Sequence, residues 1–159
     1  MKKTLCLLLI LAAFLAFGGC GNSKAMLALT PFTCEIQMIS DGKITEGIFT
    51  YKSKNSMCLE FSYEDSLGGV KAEYENGALR YLCDGVTVDA PAELKNVPVY
   101  GLFSAMNLLA QSDIEISEDE ENVFSLSDNN GKFTYTVDAD SKRILHINGM
   151  RGKIIFRYR

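Results

Sequence analysis

Apolar and polar residues alternate with period two along most of the chain after residue 30. Phe32, Cys34, Ile36 and Met38 fall on one side of an extended segment, and the polar residues between them fall on the other side. Similar short runs recur as far as Tyr158, separated by residues that favour turns. The pattern predicts a series of antiparallel strands, each with one buried face.

Pairs of Asp or Asn followed by Gly separate several of these runs. Such pairs favour two-residue hairpin turns, because both central residues of the turn take a positive φ. We therefore expect the strands to pair in sequential order as a meander. A sheet of about nine strands is long enough for its twist to curl it strongly. The predicted turns of this kind are Asp41-Gly42, Asn76-Gly77, Asp84-Gly85, Asn130-Gly131 and Asn148-Gly149.

The alternation breaks at Pro91, and the apolar positions after Pro98 have helical spacing. Pro98 suits a first helical turn, and the spacing predicts a helix over residues 98–111. A helix of this length is unstable alone in water, so its apolar stripe must pack on the sheet. The predicted fold class is mainly β (α+β). It is a strongly curved antiparallel sheet, an incomplete barrel, with one main helix packed on its concave face.

The N-terminal segment has a different pattern. Lys2 and Lys3 precede an apolar run over residues 5–17, which is shorter than the roughly 20 residues of a transmembrane helix. The following Phe17-Gly18-Gly19-Cys20 resembles the lipobox of bacterial lipoproteins, in which the cysteine is acylated and becomes the mature N-terminus. We expect a signal peptide at 1–19, an acylated Cys20 with a short tether at 20–29, and one domain at 30–159.

This resemblance implies export and a lipid anchor on the extracytoplasmic face of the bacterial cell membrane. The chain has 16 basic and 20 acidic residues, and removal of Lys2 and Lys3 brings the net charge from −4 to −6. A nucleic-acid partner is therefore not expected.

Six carboxylates lie in residues 113–121, and we expect a solvated loop there. The alternative is that this loop, or Asp138 and Asp140, binds calcium.

The sequence contains few groups for catalysis or metal binding. Cys34, Cys58 and Cys83 remain after Cys20, and their odd number prevents complete internal pairing. One disulfide could form in an exported protein, by any of three pairings, but we expect reduced, mostly structural thiols. His146 is the only histidine, and its spacing of two from Ile144 places both on the same face of the predicted strand. We expect His146 to be a structural or surface residue. No catalytic residue, metal site or cofactor is predicted.

Several segments, in order, carry a further resemblance. The chain resembles the LolA/LolB-like fold of bacterial periplasmic carriers and lipoproteins, an incomplete antiparallel barrel with helices in its concave face. The resemblance implies binding of acyl chains or other apolar molecules inside the half-barrel, and it carries over no functional residue. The matching segments are Phe49-Thr50-Tyr51, Leu59-Glu60-Phe61, Tyr81-Leu82-Cys83-Asp84-Gly85, residues 98–109 and Tyr135-Thr136-Val137-Asp138.

Two hypotheses for a non-enzymatic function follow. In the first, apolar residues of the sheet and helix bind an apolar small molecule or lipid; the alternative for the same residues is that they simply fill the core. In the second, the chain is an envelope protein that binds another protein through a sheet edge or a basic hairpin with Arg151, Lys153, Arg157 and Arg159. The candidate lining residues are Ile36, Met38, Leu59, Phe61, Tyr81, Leu102, Phe103 and Met106.

Overall fold

The structure is a computed structural model that describes residues 25–62, 67–90, 98–116, 121–129, 131–149 and 152–159. Within these ranges the fold is mainly β, with a single helix. The elements are β1 (Ala25–Met26), β2 (Phe32–Ser40), β3 (Lys43–Ser53), β4 (Ser56–Phe61), β5 (Lys71–Glu75), β6 (Ala78–Cys83), β7 (Val86–Asp89), α1 (Pro98–Ala110), β8 (Glu115–Ile116), β9 (Asn122–Asp128), β10 (Gly131–Val137), β11 (Ile144–Gly149) and β12 (Gly152–Arg157).

Ten of the strands form one antiparallel sheet in the order β7-β6-β5-β4-β3-β2-β12-β11-β10-β9. It consists of two sequential meanders, β2 to β7 and β9 to β12, joined where β12 pairs with β2 and Ile154 lies opposite Met38. In the described part of the chain, β7 and β9 are the two edges, so the sheet is open. The predicted meander is confirmed within each half.

Three of the predicted hairpin turns have the backbone conformation that their sequences favour. Asp41, Asn76 and Asp84 and the glycine after each of them all have positive φ. The Asn148-Gly149 prediction is wrong, because β11 continues through both residues and Gly149 pairs with Gly152. Gly131 of the predicted Asn130-Gly131 turn likewise lies in β10, opposite Asp128. A Cβ at Gly149 would lie 3.0 Å from the Phe133 ring, so this glycine packs closely against its neighbour.

One face of the large sheet packs against α1, and we call it the inner face. Phe103 of α1 stacks on Tyr74 of β5 with ring centroids 5.8 Å apart and lies 6.2 Å from the ring of Phe49 of β3. The hydroxyl of Tyr135 on β10 donates a 2.7 Å hydrogen bond to the carbonyl of Ala105. The hydrophobic core lies between α1 and this face. The helix predicted over residues 98–111 is therefore present and packs on the sheet.

A β-bulge changes the alternation in β11. Thr136 lies opposite His146, but the next residue of β10, Val137, lies opposite Ile144, so β11 contains one extra residue. Ile144 and Ile147 are both buried, whereas His146 lies opposite Ile155 on the outer face. The expectation that His146 and Ile144 share a face is therefore wrong.

Two features of the packing were not predicted. β1 pairs with β8, and the N–H of Leu27 donates a 2.7 Å hydrogen bond to the carbonyl of Ile114, so residues 25–27 of the expected tether pack on the domain. In β3, a Cβ at Gly47 would lie only 2.5 Å from the carbonyl oxygen of Glu60. A glycine at such a close approach inside a strand is typical of a bend in the sheet.

Candidate functional site

Seven of the eight candidate lining residues lie in the packed core. Each exposes 3% of its surface or less, and Leu59, Leu102 and Met106 expose none. Side chains around a water-filled cavity would keep part of their surface accessible, so these seven contact other protein atoms on nearly all sides. Ligand contact with them would require α1 to move. The seven are Ile36, Met38, Leu59, Phe61, Leu102, Phe103 and Met106.

Tyr81, the eighth candidate, lies in a different environment. It is only half-buried on β6, opposite Ala72 of β5 and Val88 of β7. Cys83 and Val86 lie on the same inner face, paired across the Asp84-Gly85 turn. Val86 and Val88 are 62% and 55% exposed. We call Tyr81, Cys83, Val86 and Val88 the inner-face lip.

The lip continues the apolar inner face past the region that α1 covers. The tight turn folds β7 directly back on β6, so the inner-facing valines of β7 continue the row formed by Leu79 and Tyr81. All four residues of β7 are exposed. The alternation of Val86-Thr87-Val88 is visible in the sequence, but it predicts one more buried strand face. The exposure of Val86 and Val88 depends on how far α1 extends over the sheet, and the alternation of residues does not predict that extent.

Uncharged polar groups lie between the lip and α1. Tyr74, opposite Leu79 on β6, accepts a 3.3 Å hydrogen bond at its hydroxyl from the side-chain amide of Asn107. Burial and the nearby Tyr100 raise the pKa of Tyr74, and burial raises the pKa of Tyr81. These phenols therefore stay neutral at physiological pH. The rim of the lip offers hydroxyl and amide groups for hydrogen bonding.

The three cysteines of the described chain are free thiols in different environments. Cys34 is buried on the inner face, Cys58 is half-buried on the outer face of β4, and Cys83 is exposed in the lip. Burial, with a smaller contribution from Glu35, raises the pKa of Cys34 to about 12. These faces are the ones that the alternation predicts.

Arg157 at the end of β12 and Arg159, two residues further on, make contacts with side chains of neighbouring strands. Arg157 lies 3.9 Å from the carboxylate of Glu46 and 3.4 Å from the side-chain oxygen of Gln37, and Arg159 pairs with Glu35. Similar pairs join Lys71 to Glu60 at 3.0 Å and Arg80 to Asp89 at 3.2 Å. The predicted basic hairpin is therefore partly neutralised by acidic neighbours. Its Lys153 is half-buried, and its Arg151 lies outside the described residues.

The remaining candidate groups have local structural roles where they are described. Asp138 accepts a 2.7 Å hydrogen bond from the backbone N–H of Ser141, which stabilises the turn. Hydrogen bonds from the side chain and then the backbone of Ser141 lower the pKa of Asp138. Burial and the nearby Lys153 lower the pKa of His146, so its imidazole is neutral at physiological pH. Across the described ranges, no three His, Cys, Asp or Glu side chains gather as a metal site. Much of the acidic loop, residues 117–120, lies outside these ranges.

Neither models of known protein families nor curated protein sequences match this chain. The predicted signal peptide and Cys20 lie outside the described residues. No helix of the part that is described combines the length and the apolar character needed to cross a membrane.

Proposed function

We propose that the protein is an exported bacterial lipoprotein, anchored through Cys20 to the extracytoplasmic face of the membrane, whose β domain binds an apolar, acyl-type ligand without catalysing a reaction. The observation that supports binding is the inner-face lip. It is an apolar strip that is continuous with the core and open to solvent. Exposed apolar surface of this kind is typical of binding sites.

Contacts of α1 support a half-barrel with the helix on its concave side. Tyr74 on β5 contacts Phe103 and Asn107 of α1, and Tyr135 on β10 contacts Ala105. Five strands lie between β5 and β10 in the sheet, so a flat sheet would separate them by roughly 29 Å. A helix is only about 10–12 Å across with its side chains. A sheet that wraps around α1, with a bend at Gly47, accounts for both sets of contacts.

The packed interior favours the lip over the space beneath α1 as the first binding position. Stacking of Phe103 on Tyr74 and the hydrogen bond from Tyr135 to Ala105 hold the helix against the sheet. An acyl chain can lie along Tyr81, Val86 and Val88 without breaking these contacts. Deeper insertion would have to displace α1.

Titration of the full-length, ligand-stripped protein in detergent-free phospholipid nanodiscs with a fluorescent long-chain acyl probe tests this site, and empty nanodiscs give the background. We expect saturable binding that the double variant Val86→Ser, Val88→Ser weakens at least about tenfold, because contact with a valine side chain contributes roughly 1.5 kcal/mol or more. Thr87→Ser is the matched control, since Thr87 lies between the two valines but faces outward. Absence of saturable uptake by the wild-type protein would contradict the proposal.

Mass spectrometry of the protein from its native host tests the anchor. The expected product begins at Cys20 and carries the added mass of a diacylglyceryl group and an N-linked acyl chain. More than one chain is needed for stable membrane attachment. A mature N-terminus elsewhere, or an unmodified cysteine, would remove this part of the proposal and leave the binding site to be judged separately.

The open edge at β7 favours a second candidate, an envelope protein that binds another protein by strand addition. The two residues that flank a two-residue hairpin turn form a hydrogen-bonded pair, and the next pair along the strands is not hydrogen-bonded. Thr87 and Leu82 are that next pair, so the backbone N–H and carbonyl of Thr87 point away from β6. Thr87→Pro removes that outward donor and leaves both valines in place. If the acyl probe does not bind, and crosslinking on intact cells captures one protein that Thr87→Pro loses, this candidate replaces the first.

A further inference from the structure

We infer that the ligand of the inner-face lip has an uncharged head group, so that the site prefers a neutral single-chain amphiphile, such as a fatty alcohol or a monoacylglycerol, to a fatty-acid anion. This inference rests on the proposed function. It concerns the chemistry of the ligand rather than the existence of the site.

The composition of α1 is the first observation. Residues 98–112 contain no Asp, Glu, Lys, Arg or His. A helix on a protein surface usually carries charged residues on its solvent side. Every residue of α1 is buried or half-buried, and the half-buried Tyr100 and Leu108 pack against the edge of the core. The helix therefore offers an uncharged wall beside the lip.

The two faces of the sheet beside α1 differ in charge. Tyr74, Tyr81, Val86 and Val88, and the other inward-facing residues of β5 to β7, are uncharged. The outward-facing residues of the same three strands include all of their charged side chains: Lys71, Glu73, Glu75, Arg80 and Asp89. Alternation thus confines charge to the outer face, where Lys71 and Arg80 pair with carboxylates.

Desolvation explains why such a surface discriminates between head groups. Where the head group packs against the half-buried Tyr74 and Asn107, a carboxylate without a cation or several donors beside it loses several kcal/mol of hydration free energy. A hydroxyl loses much less, and it recovers that loss with one or two hydrogen bonds. Tyr74, Tyr81, Tyr100 and Asn107 supply hydroxyl and amide partners that both donate and accept. The described part of the lip suits an alcohol better than an anion or an ammonium group.

Competition with three amphiphiles of equal chain length tests the inference on the full-length protein. Lauryl alcohol, laurate and laurylamine each compete with the fluorescent acyl probe at neutral pH. We expect lauryl alcohol to displace the probe at a concentration at least about tenfold lower than either charged compound. Laurate should compete better as the pH falls and its carboxyl group becomes protonated.

A charge introduced into the lip should reverse the preference. In Val88→Lys, laurate should become the better competitor, whereas Thr87→Lys, one residue away on the outer face, should keep the wild-type order. If laurate or laurylamine competes as well as the alcohol with the wild-type protein, the inference is overturned while the proposed function stands. If the probe itself does not bind, the proposed function fails and the inference fails with it.

Discussion

The inner face of the sheet has two regions that are built alike and differ in what covers them. In β4, the inward-facing Met57, Leu59 and Phe61 lie in the core and expose 2% or less. In β7, Val86 and Val88 follow the same alternation and expose more than half of their surface. Alternation specifies which side of a strand is apolar. A second element decides whether that side is core or binding surface.

Single alanine substitutions should give the largest difference in unfolding free energy between the two regions. Phe103→Ala removes a ring that contacts Tyr74 and Phe49, and we expect it to lower the free energy of unfolding by about 3–5 kcal/mol. Val88→Ala should change the same quantity by less than about 0.5 kcal/mol, because its side chain is mostly in solvent. Urea denaturation measures both values. Equal losses would mean that the lip is as well packed as the core.

Two glycines provide a comparison between sheet and helix. Gly47→Ala places a Cβ 2.5 Å from the Glu60 carbonyl, and we expect a loss of about 1–3 kcal/mol as β3 and β4 move apart. Gly101→Ala adds a Cβ in open space on α1, where higher helix propensity should stabilise the protein by up to about 1 kcal/mol. Thermal unfolding gives the sign of each change. A stabilising Gly47→Ala would argue against a bend at this position.

Alkaline pH should destabilise the covered region. The pKa of Cys34 rises from its ordinary 9.0 to about 12 in the folded protein, and burial also raises the pKa of Tyr135. Both groups keep a proton in the folded state that the unfolded chain releases, so stability is fully present below pH 9 and falls as the pH rises above it. Tyr135→Phe should cost about 1 kcal/mol at neutral pH and reduce the loss above pH 10. Unfolding midpoints across this range provide the measurement.

Thiol labelling is the mildest test, because it leaves the fold intact. Cys83 in the lip should react first with a thiol reagent, the half-buried Cys58 more slowly, and Cys34 only when the protein unfolds. Cys83→Ser should remove the fast phase without changing stability by more than about 0.5 kcal/mol. Fast labelling that persists in this variant would place the exposed thiol elsewhere.

The alternation predicted the faces of the strands well, and turn chemistry predicted where several hairpins close. Asp41, Asn76 and Asp84 take the positive φ that their sequences favour, and the helix that starts at Pro98 ends within one residue of its predicted end. These features are set by residues that are adjacent in the chain, so they can be predicted from the sequence alone. The bulge at Leu145 depends on the register with β10, and nothing next to it in the chain indicates an extra residue.

The candidate site was less accessible to prediction. The sequence pattern places Leu59, Phe103, Met106 and Tyr81 alike between the sheet face and the helix, yet only Tyr81 borders solvent. The difference arises from the position of α1 over the sheet. The Asn148-Gly149 pair favours a turn, whereas pairing with β12 keeps both residues in a strand and Gly149 packs closely against Phe133. In both cases a distant residue sets the role of a local pattern.

The pairing of β12 with β2 has a consequence for the order of assembly. Gln37 and Arg157, which meet across this pair, are 120 positions apart, whereas the hairpins on either side join neighbouring segments. Each meander can form as soon as its own residues are available, but β2 stays an unpaired edge until β12 arrives. During synthesis from the N-terminus, the chain therefore passes through a stage with two half-sheets whose unpaired edge strands can pair with other chains. Time spent at that stage should govern how much of the protein is lost to aggregation.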